Sequence, residues 1–242
     1  MSSVRLGSVS LAKLLARRRQ VAARDTWSRL TLDAHERREL DELRNFAYAR
    51  SRFYRRFHDG KEHAQLPDLP VLTKTILMEH WDEVVTDPSI SLDRVLRFVE
   101  GLGAPALLDD RYFVATTSGT TGLKGHSCTC MKTLVIPEIV DDHNRPVPSG
   151  TYGSKLLVTV LFSRTLPLIR YVISDSVAMS TEACECGLPF GIIDAVRGRR
   201  EDVLSFDGES GHVLVQPASS AIRSRARQAY ANGRSHKRAA VP

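Results

Sequence analysis

The pattern of hydrophobic and polar positions predicts helices in the first hundred residues. From residue 33 to about residue 58, charged residues fall on one side of a helical projection and apolar residues on the other. Asp33 is suited to cap the start of this helix, and Gly60 is suited to end it. The apolar side is formed by Leu40, Leu43, Ala47, Phe53, Tyr54 and Phe57.

Two shorter helices are predicted after a proline-containing link over residues 65–70. Thr73 has the side chain of a helix cap, and the helix that it begins extends to about Val85. Ser91 is the corresponding cap of a third helix, which stops at Gly101. The first hundred residues are therefore predicted to be helical.

Strands are predicted in the following part of the chain, over residues 111–117, about 132–140, 155–162 and 168–174. Residues 141–150 are rich in turn-forming types, so the second and third strands are expected to form a β-hairpin with a long loop. The segment 155–162 is continuously apolar after its first lysine, which predicts burial on both faces.

The composition is that of a globular protein with one or two domains. Of the 242 residues, 42% are hydrophobic and 26% are charged. No apolar run approaches the roughly 20 residues of a membrane-spanning helix. The basic start lacks the apolar stretch and cleavage site of a secretory signal, so a cytoplasmic location is expected, with an organelle transit peptide as the alternative.

The net charge of +6 is concentrated at the end of the chain. Residues 221–242 contain six basic residues and no acid, and the rest of the chain carries 28 charges of each sign. Only Tyr230 is aromatic in this segment, and no nucleic-acid recognition motif accompanies it. A solvated, disordered tail is therefore favoured over nucleic-acid binding.

The segment 116–125, Thr-Thr-Ser-Gly-Thr-Thr-Gly-Leu-Lys-Gly, carries the clearest chemical signal. It follows the predicted strand that begins at Arg111. Glycines let backbone N–H groups turn toward phosphate oxygens, while hydroxyls add donors and Lys124 adds a positive charge. The spacing differs from a Walker loop. These residue types predict a loop that holds a polyphosphate.

This loop resembles the phosphate loop of the adenylate-forming enzymes, the acyl- and aryl-CoA ligases. Residues 69–83, 166–175, 184–187 and 198–204 resemble segments of the phenylacetate–CoA ligase-like proteins in particular. The resemblance implies an α/β fold of mixed α+β type. It would be an incomplete adenylate-forming large domain, with a helical N-terminal part and a mostly antiparallel β part.

The resemblance also implies a division of the chain and a set of site residues. Residues 1–110 would be the helical region, residues 111–200 the phosphate-loop strand and β region, and residues 201–242 a hinge remnant with the basic tail. Asp175 would bind the ribose hydroxyls, Arg199 would approach the nucleotide, and Glu201 would be the hinge acid. The phosphates would be held by Ser118, Gly119, Thr120, Thr121, Gly122 and Lys124.

The implied reaction uses ATP, Mg²⁺, coenzyme A and a small carboxylic acid, but parts of the family pattern are missing. Gly125 is soon followed by residues 134–140, which resemble a strand from much later in the family. The Tyr-Gly-x-Thr-Glu motif, which helps to hold magnesium, does not occur. The lid domain with its catalytic lysine motif is not recognisable after Asp202. Impaired or absent ligase activity is therefore expected, and no catalytic residue is assigned.

Two alternatives to an active ligase remain open. The chain could be a non-catalytic remnant, or a module that binds a protein partner through exposed sheet edges. The four cysteines are weak candidates for a zinc site, because their C-x-C spacing differs from the usual C-x₂-C, and reduced thiols are expected instead. These are Cys128, Cys130, Cys184 and Cys186.

Overall fold

A computed structural model gives the fold of the chain. It describes residues 16, 19–101, 107–109, 111–112, 114, 127–128, 133–173, 175–183, 189–199, 204–208 and 211–215. The helices are α1 (Arg29–Arg50), α2 (Arg52–Phe57), α3 (Lys74–Glu79), α4 (Trp81–Val84) and α5 (Leu92–Glu100), with 3₁₀ turns at Ala23–Thr26 and Leu66–Asp68. The strands are β1 (Ser127–Cys128), β2 (Val135–Val140), β3 (Lys155–Val160), β4 (Tyr171–Ile173), β5 (Asp175–Met179), β6 (Ile192–Arg199), β7 (Leu204–Gly208) and β8 (Gly211–Val215).

The long first helix begins earlier than predicted and is interrupted. Ser28 caps α1 by accepting a hydrogen bond from the Thr31 amide at 3.2 Å, so the predicted cap at Asp33 is wrong. At Ser51 the backbone becomes extended, and its hydroxyl donates to the carbonyl of Glu83 at 2.7 Å. The same Ser51 then caps α2, which ends before Gly60, a residue with φ of 71°.

The predicted caps of the two later helices are confirmed. The Thr73 hydroxyl accepts from the Ile76 amide at 3.2 Å, and the Ser91 hydroxyl accepts from the Arg94 amide at 3.3 Å. The helix after Thr73 is divided at His80, where φ is −115° and ψ is 19°. The prediction of a single helix to Val85 is therefore wrong, whereas α5 ends before Gly101 as predicted.

The predicted β-hairpin is confirmed in an antiparallel sheet of order β2-β3-β4. Val135 pairs with Val160 at one end, and Val140 pairs with Lys155 at the other. In β3, Leu157 is fully buried, as is Thr159 two residues later, while the residues between and beside them are half-buried. The prediction of complete burial on both faces is therefore wrong, because only one face of β3 packs into the core.

The strand predicted over residues 111–117 is not formed at residues 111, 112 and 114, the part of it that the structure describes. Asp109 adopts φ of 56°, which reverses the chain and lets Leu108 and Tyr112 exchange two backbone hydrogen bonds of 2.9 Å. Arg111 lies inside this turn. The local turn therefore takes the hydrogen bonds that a strand would use.

A second sheet has the order β1-β6-β5, and β7 pairs with β8 in a separate antiparallel hairpin. Residues 204–215 were expected to be hinge remnant and tail, so this hairpin is a feature that the sequence pattern did not predict. The mixed helical and antiparallel architecture itself is confirmed. Within the described residues, no helix has both the length and the apolar character to cross a membrane.

The helical region and the first sheet share one hydrophobic core. Leu43, Tyr54, Leu72 and Ile169 are among its fully buried members. The Tyr54 hydroxyl donates to the carbonyl of Pro167 at 2.7 Å and accepts from the Ile169 amide at 3.3 Å. Leu72 adds a parallel bridge beside Tyr171, with two backbone hydrogen bonds of 3.0 Å. The link between the helices is thereby tied to β4.

A buried arginine completes this junction. Arg170 precedes β4, has φ of 51° and is 2% exposed. Its guanidinium donates to Glu138 Oε2 in β2 at 3.2 Å and to the carbonyl of Pro67 at 2.7 Å. It also donates to the carbonyls of Leu69 and Asn144. One side chain therefore joins the helical link, β2 and the loop of the hairpin.

Glu138 is the acidic partner in this cluster. Burial raises the pKa of Glu138, while the charge of Arg170 and its hydrogen bond act in the opposite direction. Its second oxygen, Oε1, is buried without a hydrogen-bond partner among the described residues. The carboxylate therefore depends on Arg170 for compensation.

We expect Arg170→Met to lower the free energy of unfolding by about 3–5 kcal/mol, because it leaves the buried Glu138 carboxylate unpaired. The double variant R170M/E138L should lose less than R170M alone. A matched control is Arg145→Met, whose ion pair with Asp141 at 3.1 Å is exposed, and which should cost less than about 1 kcal/mol. Urea denaturation measures all three. If R170M lowers the free energy of unfolding no more than R145M does, Arg170 does not compensate the buried carboxylate of Glu138.

Protonation of His58 gives a second prediction. His58 is 1% exposed, and its Nδ1 lies 3.0 Å from the Tyr48 hydroxyl. Burial, followed by the charge of Arg44, lowers the pKa of His58 to about 4. As the pH falls below about 6.5, the unfolded chain binds a proton that the folded chain does not. Stability is therefore lost between about pH 6.5 and pH 4.

At pH 4.5 this difference amounts to about 2–3 kcal/mol relative to pH 7.5. We expect His58→Gln to lose that much less stability than the natural chain over the same interval, as measured by chemical denaturation at each pH. The control His63→Gln changes an exposed histidine and should leave the pH dependence as it is. An identical pH profile for H58Q would show that His58 does not titrate as described.

Candidate nucleotide site

The structure brings together two of the residues that the family resemblance assigned to nucleotide binding. Asp175 is the first residue of β5, and Arg199 is the last residue of β6. They are direct register partners in the antiparallel ladder. Residues opposite each other in such a ladder have Cα atoms roughly 4.5–5.5 Å apart. Asp175 is half-buried. The backbone therefore places both positions at one end of the second sheet.

Strand β5 is held in place along its length by the end of the hairpin loop. The amide of Gly150 donates to the carbonyl of Met179 at 2.7 Å, and the amide of Gly153 donates to that of Val177 at 3.0 Å. The Ser176 hydroxyl donates to the carbonyl of Gly153 at 2.8 Å. The strand that begins at Asp175 is thus fixed between β6 and this loop.

Gly153 is required at this contact because of space. A Cβ at this position would lie 2.4 Å from Cγ2 of Ile139 and 2.8 Å from the carbonyl oxygen of Val140. The backbone oxygen cannot move without disturbing the pairing of β2 with β3. The absence of a side chain at Gly153 therefore allows the loop to approach β2 and β5 together.

The ladder also contains irregularities next to the candidate site. Ser176 pairs with Gly198, whereas Val177 pairs with Val196, so one residue of β6 is inserted between them. A bulge of this kind bends a strand and increases its twist. It allows Asp175 and Arg199 to remain partners while Val177 and Ala178 pair in a register shifted by one residue, and a second shift follows between Ala178 and Met179.

Most of the other predicted site residues lie outside the described part of the chain. Cys128 lies in β1 and pairs with Ile192. This pair is seven residues of β6 away from Arg199, or about 23 Å along the strand. Among the described residues, no group of three or more His, Cys, Asp or Glu is placed to hold a metal ion. The residues outside are Ser118, Gly119, Thr120, Thr121, Gly122, Lys124, Cys130, Cys184, Cys186 and Glu201.

The residues that support the site belong to no recognisable motif of the sequence. Gly153 is one glycine in a turn-rich segment, and no local pattern distinguishes Ser176. Arg170 and Glu138 carried a usable signal, since each is a single charged residue within an apolar run. Opposite charges isolated in two apolar runs indicate a buried pair, because an unpaired buried charge is too costly.

Comparison with known proteins shows which proteins this chain is similar to. No family profile matches the chain. Over 74 residues, the chain is 36% identical to a phenylacetate-coenzyme A ligase of Thermus thermophilus. The match covers 30% of this chain and spans only 16% of the length of that curated relative.

Solved structures of a 2-hydroxyisobutyryl-CoA ligase share the fold. In its postadenylation state, with R3-HIB-AMP, that ligase matches with a TM-score of 0.56 and 15% identity, over 81% of this chain and 72% of the other. In its thioesterification state, with 2-HIB-AMP and CoA, it matches with a TM-score of 0.53 and 15% identity, over 75% and 71%. The sequence match and the shared fold confirm the predicted resemblance: over part of its relatives' length, this chain is similar to the adenylate-forming enzymes of the phenylacetate–CoA ligase-like family.

Proposed function

We propose that this chain carries part of the nucleotide site of an ATP-dependent carboxylate–CoA ligase and forms acyl-adenylate very slowly or not at all. The observation that carries the proposal is the register pairing of Asp175 with Arg199. The family resemblance assigned both residues to the nucleotide separately. Their meeting at one end of a sheet, on different strands, supports a common ligand.

The chemistry of Asp175 suits the ribose of a nucleotide. An ionised carboxylate only accepts hydrogen bonds and has two oxygens, so it pairs with the two vicinal hydroxyls of a ribose. A guanidinium such as that of Arg199 is suited to phosphate oxygens. Half-burial of Asp175 leaves its carboxylate partly accessible while it reduces competition from water.

The proposed reaction has two steps. A carboxylate oxygen attacks the α-phosphorus of ATP, the bond to the leaving pyrophosphate breaks, and an acyl-adenylate forms. The thiol of coenzyme A, as thiolate, then attacks the acyl carbon, and AMP leaves as the thioester forms. The β- and γ-phosphates would be held by Ser118, Gly119, Thr120, Thr121, Gly122 and Lys124, and Glu201 would be the hinge acid. Mg²⁺ would offset part of the negative charge of the phosphates.

Low activity is proposed because parts of this machinery are not found in the sequence. The Tyr-Gly-x-Thr-Glu motif, whose acid would assist Mg²⁺, does not occur. Loss of one donor to a developing charge typically costs about 3–4 kcal/mol of transition-state stabilisation. Several such losses together would reduce turnover below a useful rate.

The similar proteins support the class of ligands and leave the acid open. The solved ligases hold an acyl-AMP and, in one case, CoA. A nucleotide, a small carboxylic acid and coenzyme A are therefore the proposed partners of this chain. A cytoplasmic location and the three-part division at residues 110 and 200 remain part of the proposal.

A protein-binding module remains the alternative function, and β2 is a poor edge for it. In the described chain, β2 is an end strand of its sheet. The carbonyls of Leu134 and Val140 accept hydrogen bonds from the amides of Leu161, just after β3, and Ser154, just before it. Because backbone groups alternate in direction along a strand, the backbone nitrogen of Pro137 faces away from β3. Proline lacks an N–H and blocks addition of another strand at its position. Light scattering after gel filtration separates a monomer from a complex.

Exchange of pyrophosphate into ATP, with a panel of aryl and fatty acids, tests the proposed activity. We expect no exchange above that of a reaction without protein. The phenylacetate-coenzyme A ligase of T. thermophilus serves as the positive control under the same conditions. Robust exchange with any acid of the panel would refute the proposed loss of activity.

Binding of AMP tests the site itself, independently of turnover. We expect Asp175→Asn to weaken AMP binding about tenfold, since a charge-assisted hydrogen bond is replaced by a weaker one. The natural chain should bind 2′-deoxy-AMP more weakly than AMP. D175N should lower the affinity for 2′-deoxy-AMP by a smaller factor than the affinity for AMP. The control Asp93→Asn removes an exposed carboxylate in α5 and should have no effect. Equal AMP affinity for D175N and the natural chain contradicts the ribose contact.

A further inference from the structure

A buried histidine lies where the 3₁₀ turn Ala23–Thr26 meets helix α1. His35 is 5% exposed, and its ring packs edge-on against that of Trp27, with 5.2 Å between the two centroids. The guanidinium of Arg24 lies over the same Trp27 ring, with 5.7 Å between Cζ and the ring centroid. His35 of the helix and Arg24 of the turn therefore share one aromatic neighbour, and a positive charge on His35 would lie close to that of Arg24.

Arg24 attaches the turn to the first sheet. It is largely buried, and its Nη1 donates to the carbonyl of Thr133, just before β2, at 3.1 Å. The two residues are 109 positions apart in the sequence, so this hydrogen bond connects distant parts of the chain. A displacement of Arg24 would therefore weaken the contact between the turn and the sheet.

The contact of Nδ1 determines the protonation of His35 in the folded chain. Nη2 of Arg38 lies 2.9 Å from Nδ1. A guanidinium has donors and no acceptor, so Nδ1 must accept this hydrogen bond and cannot itself carry a proton. The single proton of the ring is then on Nε2, the other ring nitrogen. The observed arrangement therefore requires a neutral imidazole.

Charged groups from two elements act on this imidazole. Arg24 belongs to the 3₁₀ turn, and Arg38 and Glu39 belong to α1, while the residues before β2 contribute the backbone of Thr133. Burial, followed by the charge of Arg24, lowers the pKa of His35, and the carboxylate of Glu39 acts in the opposite direction. The neutral form is therefore maintained by burial and by two neighbouring cations.

Protonation would reverse the role of Nδ1. As a donor it would face the donor of Arg38, so the present hydrogen bond could not persist. Oε1 of Glu39 lies 3.5 Å from Nδ1 and would accept from the protonated ring, so the new charge has a partner on α1. Arg24 would instead face a like charge from the side of the turn. The helix therefore retains the protonated ring, and the turn is the part that moves away.

We propose that His35 and Arg24 form an acid-sensitive latch, in which protonation of His35 displaces Arg24 from the Thr133 carbonyl and releases the 3₁₀ turn from the first sheet while α1 stays folded. The latch goes beyond the proposed ligase function and does not rest on it. It makes the position of the segment that precedes α1 dependent on pH.

The direction of the pH effect follows from the two states of the latch. In the released state the ring meets water, and its pKa returns toward the ordinary value of about 6.5, whereas in the attached state it is lower. As the pH falls below about 6.5, the released state binds a proton that the attached state does not. The ratio of released to attached chains therefore rises by up to about tenfold for each pH unit.

Hydrogen exchange of the full chain, followed by mass spectrometry at pH 7.5 and pH 5.5, tests the latch. Division of each rate by the intrinsic exchange rate at that pH gives a protection factor that reports structure. The amide of Trp27, which donates to the carbonyl of Arg24 at 3.1 Å, is the reporter. We expect its protection to fall about three- to tenfold at the lower pH. The turn at residues 108–112 contains no histidine and should change less than about twofold.

Variants separate the latch from a general loss of stability. His35→Gln cannot gain a charge, so its protection at Trp27 should be the same at both pH values. Glu39→Gln removes the acceptor for the protonated ring and should shift the loss of protection to lower pH. Its matched control is Glu42→Gln, which removes an exposed carboxylate of the same helix and should leave the pH dependence unchanged.

Three results would overturn the proposal. Equal protection of the Trp27 amide at both pH values in the natural chain does so, as does the same loss of protection in H35Q. If H35Q does not fold, the variant E39Q decides, because an unshifted pH dependence there shows that His35 does not control the turn.

Discussion

The charge of Arg170 must be satisfied inside the protein, and this requirement connects the parts of the fold. Burying a guanidinium without partners costs several kcal/mol, so the folded state must provide acceptors around it. They come from β2, from the link between the helices and from the loop of the hairpin. These segments are distant in sequence and meet at one group. These segments must therefore come together around Arg170 for β4 to form in its observed position.

The position of β4 in turn determines where the candidate site lies. Only one residue separates β4 from β5, so the orientation of Asp175 follows from that of the preceding strand. A shift of register by one residue would move Asp175 to the other face of the sheet. Gly153 and the bulge after Ser176 limit such a shift, because the loop backbone approaches β5 only where no side chain intervenes. Arg170 and Gly153 thus position the site without forming part of it.

Much of the fold could be predicted from local chemistry. Thr73 and Ser91 cap their helices because a hydroxyl satisfies an amide two or three residues later, which is a property of a few neighbouring residues. The break at Ser51 could not be found in this way, since its hydroxyl also donates to Glu83 in another helix. For the candidate site, family resemblance indicated Asp175 and Arg199 one at a time. Their pairing depends on the register of two strands and a bulge, which no local pattern specifies.

The tie between Tyr54 and Pro167 has a consequence for synthesis of the chain. The hydroxyl of Tyr54 finds its buried acceptor 113 residues later in the sequence. At about 5–20 residues per second, a ribosome needs roughly 6 to 23 seconds to make that stretch. During this interval the aromatic residues around Tyr54 lack the segment 167–169 that packs against them in the folded chain. The helices therefore complete their packing only after residues 167–169 have been made.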